Sequence, residues 1–326
     1  MATVDMAADH TLLDVAKAHN NKQLLDCATL LHKKNGFVRV ATWEEANQLT
    51  THVYEKEVKL ADGVWRSVNE GIVSENPQEE QDTEPLSRID SRSEIDEYII
   101  DDIVPNPKEY RYGKDMRQSE GLLQSIATAF LYGNPALDIN KPTGLQVRFN
   151  ATSLDNVHSA GGSDALEVTS IYIVQFGKHK CNLLYGRDKG DKILNMEDMG
   201  KELITTNTST GARLYKYVTK FNMMAGMVIP DDRAVQRICN IGTDGADEVD
   251  PDMIRWALDS LPDPDDISQT YIFANRLGRY QIGKALRNRP NMITSDVNQY
   301  GQQIERLMGA QIVMLEAISN TEAVVS

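Results

Sequence analysis

Basic residues are in deficit: 34 Lys and Arg stand against 48 Asp and Glu in 326 residues, a formal net charge of −14. Proteins grip nucleic acid by setting clustered cations against phosphates, so a general DNA- or RNA-binding surface is excluded. Cysteine is scarce too. Cys27, Cys181 and Cys239 are odd in number and far apart, which makes neither a disulfide framework nor a C-x-x-C motif and points to a reducing cytoplasm. No stretch approaches the roughly 18 consecutive apolar residues of a membrane span. Residues 1–9 also lack the basic and apolar regions of an export signal. With 41% hydrophobic residues the chain still buries a core, as one large domain or two of roughly 100–200 residues each.

Catalytic signatures are missing as well. The six histidines, His10, His19, His32, His52, His158 and His179, form no H-E-x-x-H pair and none has zinc-ligand spacing to a cysteine. There is no G-x-S-x-G nucleophile elbow and no G-x-G-x-x-G fingerprint. The nearest match is Gly278 to Lys284, which fits G-x-x-x-x-G-K but continues with Ala285, lacking the hydroxyl that holds magnesium. Arg279, Tyr280 and Gln281 also make that loop bulky, so the segment reads as a basic helix face whose glycines allow close packing. Asp231-Asp232 is a chance carboxylate pair in so acidic a chain, and Gly161-Gly162 is a turn. The expectation is no catalytic residue, no metal and no cofactor.

What is present reads as a succession of elements. Thr11 to Asp14 has capping-box spacing, and Leu24, Leu25, Ala28 and Leu31 recur at helical spacing before Lys33-Lys34-Asn35-Gly36, a basic last turn with a glycine stop. Residues 48–70 read as a β-hairpin turning at Ala61-Asp62-Gly63 and returning through Val64, Trp65 and Val68. Such a ribbon is marginally stable alone and must lie on something else. From Glu75 to Asp102, eleven acids against two arginines give a local charge of −9, expected as solvated loop.

The clearest helix runs from Lys114 to Tyr132, with Leu122, Leu123, Ile126, Ala129 and Phe130 in one stripe and Gly133-Asn134-Pro135 as its stop. Strands are predicted over residues 170–177, 181–185, 215–229, 235–241 and 311–318, with Met223, Met224 and Met227 as strand core. Asp250-Pro251 opens a helix that runs to Leu261. Residues 267–295 hold no acid, whereas Arg276, Arg279, Lys284, Arg287 and Arg289 make a basic stretch of +5.

A helical N-terminal arm, an unsupported hairpin, a solitary long helix and a mixed α+β body ending in a strand resemble the major capsid proteins of tailed bacteriophages with the Hong Kong 97-type fold. The short-tailed phage group is the nearer match. The resemblance is carried, in order, by residues 64–71 (Val-Trp-Arg-Ser-Val-Asn-Glu-Gly), 93–96, 131–134, 144–150, 170–177 and 230–241, and spans about residues 10 to 320.

It implies an N-terminal arm (1–45), an extended loop (46–92), a spine helix and start of the peripheral domain (93–140), mixed peripheral and axial strands (141–242), an axial domain (243–307) and a final peripheral strand (308–326). It also implies pentamers and hexamers closing into an icosahedral shell around double-stranded DNA, in a virion capsid assembled in the bacterial cytoplasm. The implied partners are further copies of the chain, a scaffolding protein separate from this Met1-initiated sequence, a portal protein and an optional cement or decoration protein. Packaged DNA is contacted only weakly and no membrane is involved.

The extended loop would reach over a neighbour through Val64, Trp65, Arg66, Asn69 and Glu70. Trp65 is either an interface anchor or a cover for its own hairpin. Arg276, Arg279, Lys284, Arg287 and Arg289 would pair with acids such as Glu75 to Asp102 on neighbours. The alternatives are an α/β enzyme or nucleotide-binding protein using Gly278 to Lys284, and a non-capsid virion component.

Overall fold

The computed structural model describes residues 36–326 apart from 60, 62, 64, 72–75, 77, 104, 165, 188–193, 208–211, 244–247, 287–292 and 298–302. The two expected N-terminal helices lie outside the described residues. Gly36, expected to stop the second of them, instead opens a short helix, α1 (Gly36–Val40). Only glycine fits at that point, because a Cβ there would sit 2.2 Å from Val313 Cγ1 and 3.0 Å from the Met314 carbonyl oxygen. Residues 36–45, the end of the segment read on sequence as the N-terminal arm, pack against the body. Phe37 is fully buried against Phe130, Phe176 and Phe273, with ring centroids 4.9–6.2 Å apart, and β1 (Trp43–Glu45) is a sheet strand.

Two sheets form the body. In the five-stranded sheet, β9 (Ala212–Val228) is the shared spine. One of its edges pairs with β4 (Ser87–Asp96) over Lys216–Ala225; the other pairs with β8 (Leu194–Asn207) and then β7 (Asn182–Tyr185), which carries β1 in parallel. The seven-stranded sheet has the order β12 (Ile293–Val297), β13 (Gln303–Leu307), β14 (Ala310–Met314), β11 (Thr270–Ala274), β6 (Val168–Gln175), β10 (Val235–Gly242), β5 (Val157–Ser159). Every residue of β6 is buried. Its alternating side chains serve two cores, Tyr172 and Val174 in one and Ile171 and Ile173 in the other.

The long helix, α2 (Pro107–Tyr132), begins a full two turns before the expected Lys114, with Pro107 in its first turn. It lays Leu122, Leu123, Ile126, Ala127 and Phe130 into the first core, while Gly121 faces solvent, where its cost to the helix is small. A one-turn helix, α3 (Leu145–Arg148), follows it. The second core is covered by α4 (Pro251–Asp259), capped by the Asp250 carboxylate accepting from the Asp252 N–H, and by α5 (Arg276–Ala285).

The acidic stretch is not a solvated loop. It supplies β3 (Gln78–Pro85), β4 and one π-helical turn, and much of its charge meets cations from distant sequence. Glu84 pairs with Arg148, Glu94 with Lys216, and Glu97 and Asp101 with Lys201. Tyr217 also donates to Asp101, whose carboxyl is held below the usual range by the Lys201 and Tyr217 hydrogen bonds.

Candidate assembly surface

The hairpin expected from sequence exists, with a different return strand. β2 (Thr51–Lys59) pairs antiparallel with β3, from Thr51 opposite Pro85 to Lys59 opposite Gln78, and residues 65–70, expected in the return strand, form no strand. These two strands form a sheet of their own, with no third strand to back them among the described residues. The hairpin is moored at its root. Arg148 and Glu84, both largely buried, meet at 2.7 Å; Lys56 reaches Asp232; the Leu86 N–H donates to the Thr50 carbonyl. At Arg148 burial pulls the pKa down, but the Glu84 hydrogen bond and charge outweigh it and raise the pKa overall. His52, also at the root, is pushed down chiefly by burial, with the Glu44 charge opposing.

At the tip Trp65 is 100% exposed and Val68 91%, so Trp65 covers no part of its own hairpin among the described residues. The backbone around them is pinned locally. Arg66 donates to the Glu70 carbonyl at 2.8 Å, the Ser67 N–H donates to the Glu70 carboxylate at 3.0 Å, and Asn69 takes a left-handed conformation at φ 71°. The structure therefore brings Trp65, Arg66, Asn69 and Glu70 together; Val64 lies outside the described residues.

The basic stretch is distributed differently. Arg276, Arg279 and Lys284 share one face of α5, and each already has an acid in its own chain: Glu316 at 2.8 Å, Glu305 at 2.9 Å, and Glu248. Arg287 and Arg289 lie outside the described residues. Gly278 to Lys284 is helical throughout. In a phosphate-binding loop the backbone N–H groups turn toward the ligand, whereas those of a helix interior are spent on the preceding turn. This geometry removes the basis of the nucleotide-binding alternative.

Asp231 caps a 3₁₀ turn and pairs with Arg233, and Asp232 holds Lys56, so this carboxylate pair is structural. Met223 and Met227 are core, as expected, whereas Met224, on the opposite face of β9, is only half-buried. Among the described residues no three His, Cys, Asp or Glu converge as metal ligands, and no helix is long and apolar enough to cross a membrane.

Sequence reasoning missed the mooring pairs Arg148–Glu84 and Lys56–Asp232, whose partners are far apart in sequence and carry no local signal. It also missed a cleft of about 630 Å³ between α2 and β4, whose charged lining is Arg92, Lys114, Arg117 and Lys216 with Glu94 and Asp96.

A family model for major capsid protein GP7 matches residues 19–326. The chain belongs to that family. It is a capsid shell protein of the virion, with the Hong Kong 97-type fold anticipated above. Among solved structures, bacteriophage Epsilon15 is similar at a TM-score of 0.61 and 20% identity, covering 87% of this chain and 88% of that one. The bacteriophage JBD30 capsid aligns at a TM-score of 0.49 and 10% identity, covering 85% and 88%. No curated protein sequence matches.

Proposed function

We propose that this capsid protein assembles into pentamers and hexamers that close an icosahedral shell around double-stranded phage DNA, built in the host cytoplasm and without catalytic activity of its own. The observation that carries this reading is the hairpin. A two-stranded ribbon with no supporting sheet among the described residues, carrying a bare tryptophan and valine, is marginal in water and gains its support from a neighbour. In this reading Trp65 is the anchor, with Arg66, Asn69 and Glu70 as the rim that shapes the tip. Residues 46–92 act as the extended loop, 93–140 as spine helix and start of the peripheral domain, 243–307 as the axial domain and 308–326 as the final peripheral strand.

Many copies of a modest contact give a stable closed shell, while each contact alone stays weak enough to correct errors. The excess of acid keeps packaged DNA from adhering to the wall. A separate scaffolding protein, a portal and a cement or decoration protein are the partners this role calls for.

Negative-stain electron microscopy of the expressed protein, alone and with co-expressed phage proteins, tests the reading. Rings or closed shells of uniform diameter are expected. A protein that stays monomeric in every condition overturns it.

A further inference from the structure

The two halves of α2 are held to the five-stranded sheet by different kinds of contact. Beyond Gly121 the attachment is apolar, through Leu122, Leu123, Ile126, Ala127 and Phe130. Before Gly121 the buried side chains are polar, Asp115 and Ser119, with Met116 only half-buried between them. Residues 107–114 are exposed or half-buried, so Asp115, at 8% exposure, is the first buried side chain of the helix. Gly113 and Gly121 stand on either side of it, each with nothing within 4 Å of a Cβ. Neither glycine serves a close approach, and both lower the helix propensity of this half.

Asp115 rests on a cross-strand pair of hydroxyls. Ser93 on β4 and Thr219 on β9 are register partners, both buried, and the Thr219 hydroxyl donates to Asp115 Oδ2 at 3.0 Å. Oδ1 is buried and has no hydrogen-bond partner among the described residues.

Nor is a cation paired with this carboxylate among the described residues. Arg111, one turn earlier, is bound to Asp198 of β8 at 2.6 Å and lies over the Tyr217 ring. Lys114 and Arg117 are on the exposed side of the helix. The strands bring no charge of their own to this face: Ser93 is flanked on it by Ser91 and Ile95, and Thr219 by Phe221 and by Tyr217, whose hydroxyl is spent on Asp101. Asp101, in the π-helical turn (Ile99–Ile103), is itself paired with Lys201.

A full charge is costly in such a place, where one carboxylate oxygen is satisfied by nothing. Burial pushes the Asp115 carboxyl above its ordinary value, helped by the Asp198 charge and opposed by the Ser93 and Thr219 hydroxyls and the Arg111 charge.

We infer that Asp115 is a proton-operated latch for the first half of α2: with a proton it lets residues 107–120 close onto β4 and β9, and without one it favours the opened half-helix, in which the carboxylate reaches water. The half beyond Gly121 stays seated on its apolar contacts in both states. This latch belongs to the folded subunit and does not depend on the shell role proposed above. A carboxyl raised in the closed state holds its proton more tightly closed than open, so closure is strongest in acid and loses this contribution as pH rises through the folded value. The Arg111–Asp198 pair and the Gln118 side chain, which donates to Ser91 Oγ at 2.6 Å, remain in place, so the response is a graded loosening.

Hydrogen–deuterium exchange of the full-length unassembled subunit tests the latch, with each rate divided by the intrinsic exchange rate from about pH 4.5 to about pH 8. In the wild type the amides of residues 107–120 are expected to open several-fold more often at the upper end of that range than at the lower, while those of 122–131 do not change. Asp115→Asn, which cannot ionise, is expected to abolish the pH dependence. Thr219→Val removes a hydroxyl that favours the charged form, and is expected to move the transition to lower pH values no further than wild type and in fact to higher pH; it serves as the second variant if Asp115→Asn does not fold.

Exchange of residues 107–120 that runs parallel in wild type and Asp115→Asn across the range overturns the inference. So does a helix half that opens more often in acid, or a transition that Thr219→Val leaves where it was.

Discussion

Arg237 on β10 and Glu322 near the C-terminus form an ion pair at 3.0 Å whose side chains are 0% and 2% exposed. Burial of both charges is tolerable because their hydrogen bonds are filled. Arg237 also donates to the Phe149 carbonyl and to Ser170 Oγ, while Glu322 accepts from the Tyr132 hydroxyl at 2.6 Å and from Ser170. The pair ties the C-terminal segment to α2 and to two strands of the large sheet. Breaking it from one side leaves an unpaired buried charge, so Glu322→Ala is expected to cost about 3–5 kcal/mol, and Glu322→Gln less, since the amide keeps an acceptor for Tyr132. Urea unfolding of the unassembled subunit measures both.

Trp65 separates folding from assembly. Fully exposed, it contributes nothing to the packing of its own chain, so Trp65→Ala is expected to leave subunit unfolding within about 0.5 kcal/mol of wild type. Particle yield, measured by sedimentation and electron microscopy, is expected to fall at least several-fold, because a buried Trp commonly dominates an interface. Equal particle yields from the two chains would remove Trp65 from the contact.

The two glycines of α5 are expected to respond in opposite directions. A Cβ on Gly278 would meet Ala274 Cβ and Asn275 Oδ1 at 3.3 Å, pressing on the asparagine that caps the helix by accepting from the Gly278 N–H. Gly278→Ala is therefore destabilising. Nothing lies within 4 Å of the Gly283 position, so Gly283→Ala gains helix propensity and is expected to stabilise by about 0.5–1 kcal/mol. Thermal unfolding of the two variants checks the sign of each.

His52 makes the hairpin root sensitive to acid. Its folded pKa lies below the ordinary histidine value of about 6.5, chiefly through burial, with the Glu44 charge opposing. A histidine with a depressed folded pKa favours its neutral form in the fold, so its contribution is present above about pH 6.5 and is lost as pH falls through the folded value. Proteolysis within the hairpin is expected to accelerate below pH 6 in the wild type and to show a flatter pH profile in His52→Gln. Identical profiles would dissociate His52 from the root.

Elements whose cause is local were legible in the chain. The α2 stripe from Leu122 to Phe130 carries helical periodicity, the Asp250-Pro251 cap starts α4, and the run of apolar residues at 170–175 belongs to a strand buried on both faces. Elements whose cause is non-local were not. Charge repulsion read along residues 75–102 argues for loop, yet cations from β9 and α3 and from Lys201 in β8 turn that stretch into strands. β8 was missed because a sequence such as Asn-Met-Glu-Asp-Met is held by its ladder to β9 rather than by propensity.

The same division runs through the assembly surface. Composition and the order of segments determined the class of protein: acidic, poor in catalytic and metal-binding patterns, with a ribbon that has no core of its own. Tertiary structure alone decided where that ribbon returns, that Trp65 is bare, and that Arg276, Arg279 and Lys284 are already partnered within the chain. The physical reason is one of range. Periodicity and caps act over a few residues, whereas the partner of a charge is set by which distant strands the fold brings within a few ångströms of it.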